Sequence, residues 1–285
     1  MPDRNWQELE SVLTAGPRAA FHARLRAEFE RGAVMATTET AAGIHTVTPY
    51  VRVVDIEGLL AFATKALGAR EVSRTPTSIG GIHCMVSLAD SMLMLTGGSA
   101  AAGQELFAVL HVYVPDVDDS YQRALDAGAE SLSPPSDRFY GERNAGVKDP
   151  TGNIWYVASR PAGAVPPPNM RAVTPYIVAG GALELVDFLK DAFNAVPMEM
   201  FKRPDGALMH GAVTIGDSVI ELGDNAGVPP SAFYLFVPDA DAVYDRALRA
   251  GAMSLSSPAN QPYGHRSGSV KDPWGNTWYI ASELK

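Results

Sequence analysis

Two histidines and a carboxylate carry the chemistry this sequence offers most plainly. His210 lies in the run 208–215, Glu221 in the run 218–222, and Gly216-Asp217 separates them. A two-residue turn there sets Ala212 opposite Glu221. Strand residues alternate faces, so His210 then shares the face of Glu221, one diagonal step away. A histidine beside a carboxylate can serve as a general base or hold a ligand, and its protonation answers to that neighbour. The bland alternative is a strand histidine bonded to its surroundings. His83 holds the matching place earlier in the chain, where Met94 replaces the glutamate. His22, His45 and His265 read as surface or loop residues. Cys84 is the only cysteine, so no internal disulfide, CxxC pair or thiolate zinc cluster can form.

The elements that position these residues belong to a repeat. Residues 140–159 read YGERNAGVKDPTGNIWYVAS and residues 263–282 read YGHRSGSVKDPWGNTWYIAS, identical at thirteen of twenty positions. Thr48-Pro49-Tyr50-Val51 matches Thr174-Pro175-Tyr176-Ile177, and Asp90-Ser91 matches Asp217-Ser218. Two copies therefore span 44–160 and 171–285, joined by a proline-rich linker over 161–170. In the second copy a β-rich run at 173–178 precedes helical apolar spacing at Leu185, Val186, Leu189 and Phe193. Strands at 198–202, 208–215 and 218–222 follow. The order then recurs as a strand at 232–237, a helix at 239–250, and strands at 253–255, 267–271 and 277–281. The chain thus reads as an α+β fold of four βαβββ units. Outside the repeat, residues 1–43 form a helical extension. Phe21, Leu25 and Phe29 put an amphipathic helix over about 17–31, covering its own domain or reaching a partner.

Composition narrows the partners. The 285 residues are 46% hydrophobic and 19% charged, which is globular and ample for cores. The net charge of −9 disfavours nucleic acid and anionic membranes, whose affinity rests on Lys and Arg. No apolar run reaches the ~18 residues of a membrane span. No secretory leader is evident at the start, and a reducing cytoplasm is the expected location. A small-molecule ligand is the expected partner, with a homodimer as a further option.

Four βαβββ units with a YGxRxGxVKDPxGNxW-type tail resemble the vicinal oxygen chelate superfamily. That superfamily includes glyoxalase I, bleomycin-resistance proteins and extradiol dioxygenases; the tails look most like its PhnB-like branch. The resemblance implies two tandem glyoxalase-like domains, with units pairing within or across the copies. It implies metal ligands on the first and fourth strand of each unit. By motif these fall on Thr48, Met94, Val109 and Tyr156 in the first copy, and on Thr174, Glu221, Ala232 and Tyr279 in the second. Only Glu221 is an ordinary ligand, with His111 two residues from Val109 on the same strand face. Three protein ligands are usual for catalytic zinc, so the expectation is no cofactor, a divalent metal being disfavoured.

The leading expectation is a metal-free protein that binds a small hydrophobic or aromatic molecule in a barrel cavity. The alternative is a lyase, isomerase or glyoxalase-type enzyme using His210 and Glu221, with or without a weakly held metal. Cavity candidates are Tyr50, His83, Met94, His111, Tyr156, Tyr176, Tyr234 and Tyr279. Tyr140 and Tyr263 sit on loops near the expected mouth. Arg143 and Arg266 either bind an anion or pair with local acids. Trp155 and Trp278 alternate with Tyr156 and Tyr279 and should face the helices.

Overall fold

A computed structural model describes residues 44–77, 81–101, 105–138, 141–161, 163–164, 166, 169–225 and 227–284. The helix expected within 1–43, and Tyr140, lie outside the described residues. Four βαβββ units follow in order. The first has β1 (Val47–Val53), α1 (Ile56–Leu67), β2 (Arg70–Pro76), β3 (Ile82–Leu88) and β4 (Ser91–Gly97). The second has β5 (Val109–Tyr113), α2 (Val117–Asp126), β6 (Glu130–Asp137), β7 (Arg143–Lys148) and β8 (Ile154–Ser159). The third has β9 (Val173–Val178), α3 (Ala182–Phe193), β10 (Val196–Lys202), β11 (Leu208–Ile215) and β12 (Ser218–Gly223). The fourth has β13 (Ala232–Phe236), α4 (Ala240–Arg249), β14 (Met253–Asn260), β15 (His265–Lys271) and β16 (Thr277–Glu283).

Helix boundaries follow local chemistry. Asp116 and Asp239 cap α2 and α4 by accepting from the third backbone N–H beyond, at 3.0 Å in each case. Gly68 and Asn194 close α1 and α3 in the left-handed conformation. β14 runs five residues past its expected end. It is a sheet edge with two register shifts, and an edge tolerates Pro258.

The strands make two eight-stranded sheets, and each takes one unit from each copy. Sheet one runs β14-β15-β16-β13-β1-β4-β3-β2 and sheet two runs β10-β11-β12-β9-β5-β8-β7-β6. The joins are antiparallel: β1 to β13, with Thr48 opposite Tyr234, and β5 to β9, with His111 opposite Thr174. Pairing therefore runs across the copies. The helices do the reverse. α1 and α2 share one apolar core with Trp155, and α3 and α4 share another with Trp278. Both tryptophans face the helices as expected, each donating its indole N–H to the aspartate of its DPxGN turn.

The two sheets are locked by the repeated Asp-Ser turns. Asp217 Oδ1 and Ser218 Oγ accept from the backbone N–H of Thr46 and Val47 at 2.8 and 2.9 Å. Asp90 Oδ1 and Ser91 Oγ accept from Ala172 and Val173 at 2.8 and 3.0 Å. Gly216 makes the first turn possible. Its φ is +57°, and a Cβ there would stand 2.3 Å from Thr46 Oγ1. His45 belongs to this lock, not to open surface. Its Nδ1 lies 2.9 Å from Asp217 Oδ2, which also accepts from Arg171 at 3.1 Å. Burial alone would raise the Asp217 carboxyl, but the bonds from His45 and Thr46 outweigh it and hold the group well below the usual range.

Candidate functional site

The inner face of sheet two gathers the chemically capable side chains. β11 and β12 pair as expected, with Ala212 opposite Glu221. β12 lies parallel to β9 with Glu221 beside Tyr176, and β5 lies parallel to β8 with His111 beside Tyr156. The central side chains of this face are thus Glu221, level with Tyr176, and, two residues along the join, His111, level with Thr174 and Tyr156. The equivalents in sheet one are Met94, level with Tyr50, and Tyr234, level with Thr48 and Tyr279. Of the expected ligand positions, Thr174 lies opposite His111, Thr48 opposite Tyr234 and Ala232 opposite Tyr50, while Val109 is two residues from His111 on the same strand.

His111 Nδ1 stands 3.1 Å from Glu221 Oε2, and His210 Nε2 stands 3.8 Å from the same oxygen. All three residues are at most 2% exposed. An ionised carboxylate only accepts, so with Glu221 in its carboxylate form the hydrogen bond has His111 Nδ1–H as donor. The pair joins the copies, since His111 comes from the first and Glu221 from the second. Beyond it the His111 and Tyr113 rings lie 4.7 Å apart, and Tyr113 donates its hydroxyl to the buried Glu142 at 3.0 Å. The Arg160 guanidinium lies 3.4 Å over the Tyr113 ring. Gly223, ending β12, leaves room for Tyr176: a Cβ there would be 2.3 Å from its hydroxyl.

Sheet one is aromatic in the same places. The Tyr50 and Tyr279 rings lie 4.7 Å apart, and Arg52 donates to the Tyr279 hydroxyl at 2.9 Å. Tyr50 and His83 share Thr96 Oγ1 at 2.7 and 3.0 Å. Tyr234 bonds His265 Nδ1 at 2.8 Å, and His265 opens β15 rather than lying in a loop. Burial lowers His83 below the usual histidine range and raises the Tyr234 phenol. Burial also raises Tyr279, against the opposing pull of Arg52. The face therefore presents neutral rings.

Arg143 and Arg266 leave the cavity candidates. β7 and β15 turn them toward the helices, where Asp118 on α2 and Asp241 on α4 take them. Tyr263 is 62% exposed, its ring against His265. Tyr113, Glu142 and Arg160 are the residues sequence reading missed. A signal existed: in the second copy their counterparts are Phe236, His265 and Glu283, so the copies differ where the chemistry differs.

The superfamily implies a metal at the central row, and the donors present do not fit one. Sheet one offers three tyrosines and a methionine. In sheet two the two ordinary donors, His111 and Glu221, are bonded to each other. His210 Nε2 lies 3.8 Å from the same Glu221 oxygen. Among the described residues no three His, Cys, Asp or Glu side chains are placed to hold a metal ion.

Two curved sheets of paired βαβββ units, each with its central row on the inner face, define a vicinal-oxygen-chelate fold. The chain belongs to the Glyoxalase/Bleomycin resistance protein/Dioxygenase superfamily, whose model matches residues 43–157 and 176–280. It is similar to "Uncharacterized protein Rv0887c" of Mycobacterium tuberculosis, at 32% identity over 128 residues, 40% of this chain and 75% of that one. "Uncharacterized protein Mb0911c" of Mycobacterium bovis matches at the same identity over 84% of its length and 40% of this chain. Among solved structures, glyoxalase I from Zea mays superposes with a TM-score of 0.66 at 16% identity, covering 83% of this chain and 92% of that one. At that identity the likeness speaks for the fold alone. No described helix is long and apolar enough to cross a membrane.

Proposed function

We propose that the protein transfers a proton on a small carbon acid without a metal, as an isomerase or lyase, in the cavity of sheet two. The observation that carries this is the buried His111–Glu221 pair at 3.1 Å, absent from the matching row of sheet one. A buried ion pair is weak evidence for stability, and buried titratable clusters mark functional sites. In this reading Glu221 removes a proton from a carbon next to a carbonyl. The electron pair stays on the substrate as an enolate, and the proton returns to the same or the neighbouring carbon. His111 holds the carboxylate in place through Nδ1–H, and His210 meets it from the β11 side.

A second reading rests on sheet one. Its half-buried rings and neutral His83 suit a neutral aromatic guest held by stacking. One experiment separates the two. The full chain in D2O is screened by proton NMR against a panel of small ketones, keto acids and aromatic metabolites. Deuterium exchange at one carbon of a substrate, reduced at least about 100-fold in Glu221→Gln, is expected from a lost general base. Binding without exchange, equal in both proteins, would overturn the proton-transfer reading and leave the aromatic one.

A further inference from the structure

Arg160 follows β8 directly and shares the inner face with Tyr156, two positions on from Ala158. Its guanidinium lies flat on Tyr113, yet its Nε and Nη2 are buried and donate to no hydrogen bond among the described residues. These two nitrogens form one edge of the guanidinium. The protein shows twice what that edge accepts. Arg143 donates Nε and Nη2 to the two oxygens of Asp118, at 2.5 and 2.7 Å. Arg266 uses the same two nitrogens on the two oxygens of Asp241. A planar carboxylate meets this edge with two parallel bonds. A buried N–H without an acceptor has given up its hydration with nothing in return, so two on one edge call for an acceptor brought in from outside.

We infer that Arg160 is a specificity-determining residue that grips a carboxylate of the small molecule bound in sheet two. The substrate class is then a carboxylic acid whose remainder reaches past the Tyr113 and His111 rings toward Glu221. This deepens the sheet-two reading above and rests on it for the identity of the site. Tyr113 holds the guanidinium plane from below while spending its hydroxyl on Glu142. The counterpart of Arg160 in the second copy is Glu283, so sheet one offers no such grip and one carboxylate binds per chain.

The test is calorimetric titration of the full chain with benzoate and with its neutral isostere benzamide. Benzoate should bind once per chain, at least ten-fold tighter than benzamide. Arg160→Gln should erase that preference. Arg160→Lys, which keeps the charge without the edge, should retain only part of it. Melting curves establish that both variants fold. Equal affinity for the two probes, no benzoate binding, or an undiminished preference in Arg160→Gln would overturn the inference. Glu221→Gln should keep the preference. A carboxylate preference that survives while no carbon acid exchanges deuterium would sink the proton-transfer reading and spare the Arg160 grip.

Discussion

At the scale of single residues, the buried pair and its absence from sheet one make an internal control. Glu221 and His111 occupy places held by Met94 and Tyr234 in sheet one, where packing suffices. His111→Tyr alone strands a buried carboxylate, and the expected cost is about 3–5 kcal/mol in urea unfolding. The double variant His111→Tyr, Glu221→Met should recover most of that loss, reproducing the pair its own twin uses. A double variant no more stable than the single one would mean that the pair is structural. The register that joins His210 to Glu221 was legible in the sequence, because a two-residue turn between alternating strands leaves little freedom. The closer partner, His111, was legible only as a neighbour of the expected position. Its contact with Glu221 crosses between copies and depends on a strand pairing no local pattern encodes. Arg160 and Glu142 were hidden for another reason: each looks like an ordinary loop residue until the copies are compared position by position.

At the scale of elements, the Asp-Ser turns do more than reverse the chain. Each caps the entering strand of the other sheet, so the turn that aligns β11 with β12 also fixes where β1 begins. The depressed Asp217 carboxyl gives this lock a pH dependence. A folded-state value below the unfolded one, about 3.9, means the stabilisation is complete above that range and is lost as the pH falls through it. Asp217→Asn should lower stability near neutrality by about 1–3 kcal/mol, the worth of bonds to a charged acceptor. It should also flatten the fall in stability between about pH 5 and pH 3, since the group that titrates there has gone. Equilibrium unfolding of both proteins across that range checks this, and parallel curves would remove Asp217 from the explanation. The strands and helices themselves were nearly all readable from alternation, helical spacing and turn residues. The role of His45 was not, because its partner lies 172 positions away.

At the scale of the whole molecule, cores and cavities are divided differently. Each copy owns a helix-covered core, while each inner face needs strands from both copies. Residues 44–160 alone would leave β1 and β5, both interior strands, as open edges. That fragment should therefore associate with itself, or with a 161–285 fragment added to it. Light scattering after size-exclusion chromatography reads the outcome, and a folded monomer would contradict the shared-sheet arrangement. The same arrangement bears on descent. A duplicated gene ordinarily frees one half to drift while the other keeps the ancestral trait. Here neither half has that liberty, because each sheet has two parents. A change inherited in one half is expressed against a wall supplied by the other, and His111 and Glu221, encoded in different halves, have meaning only when transmitted together.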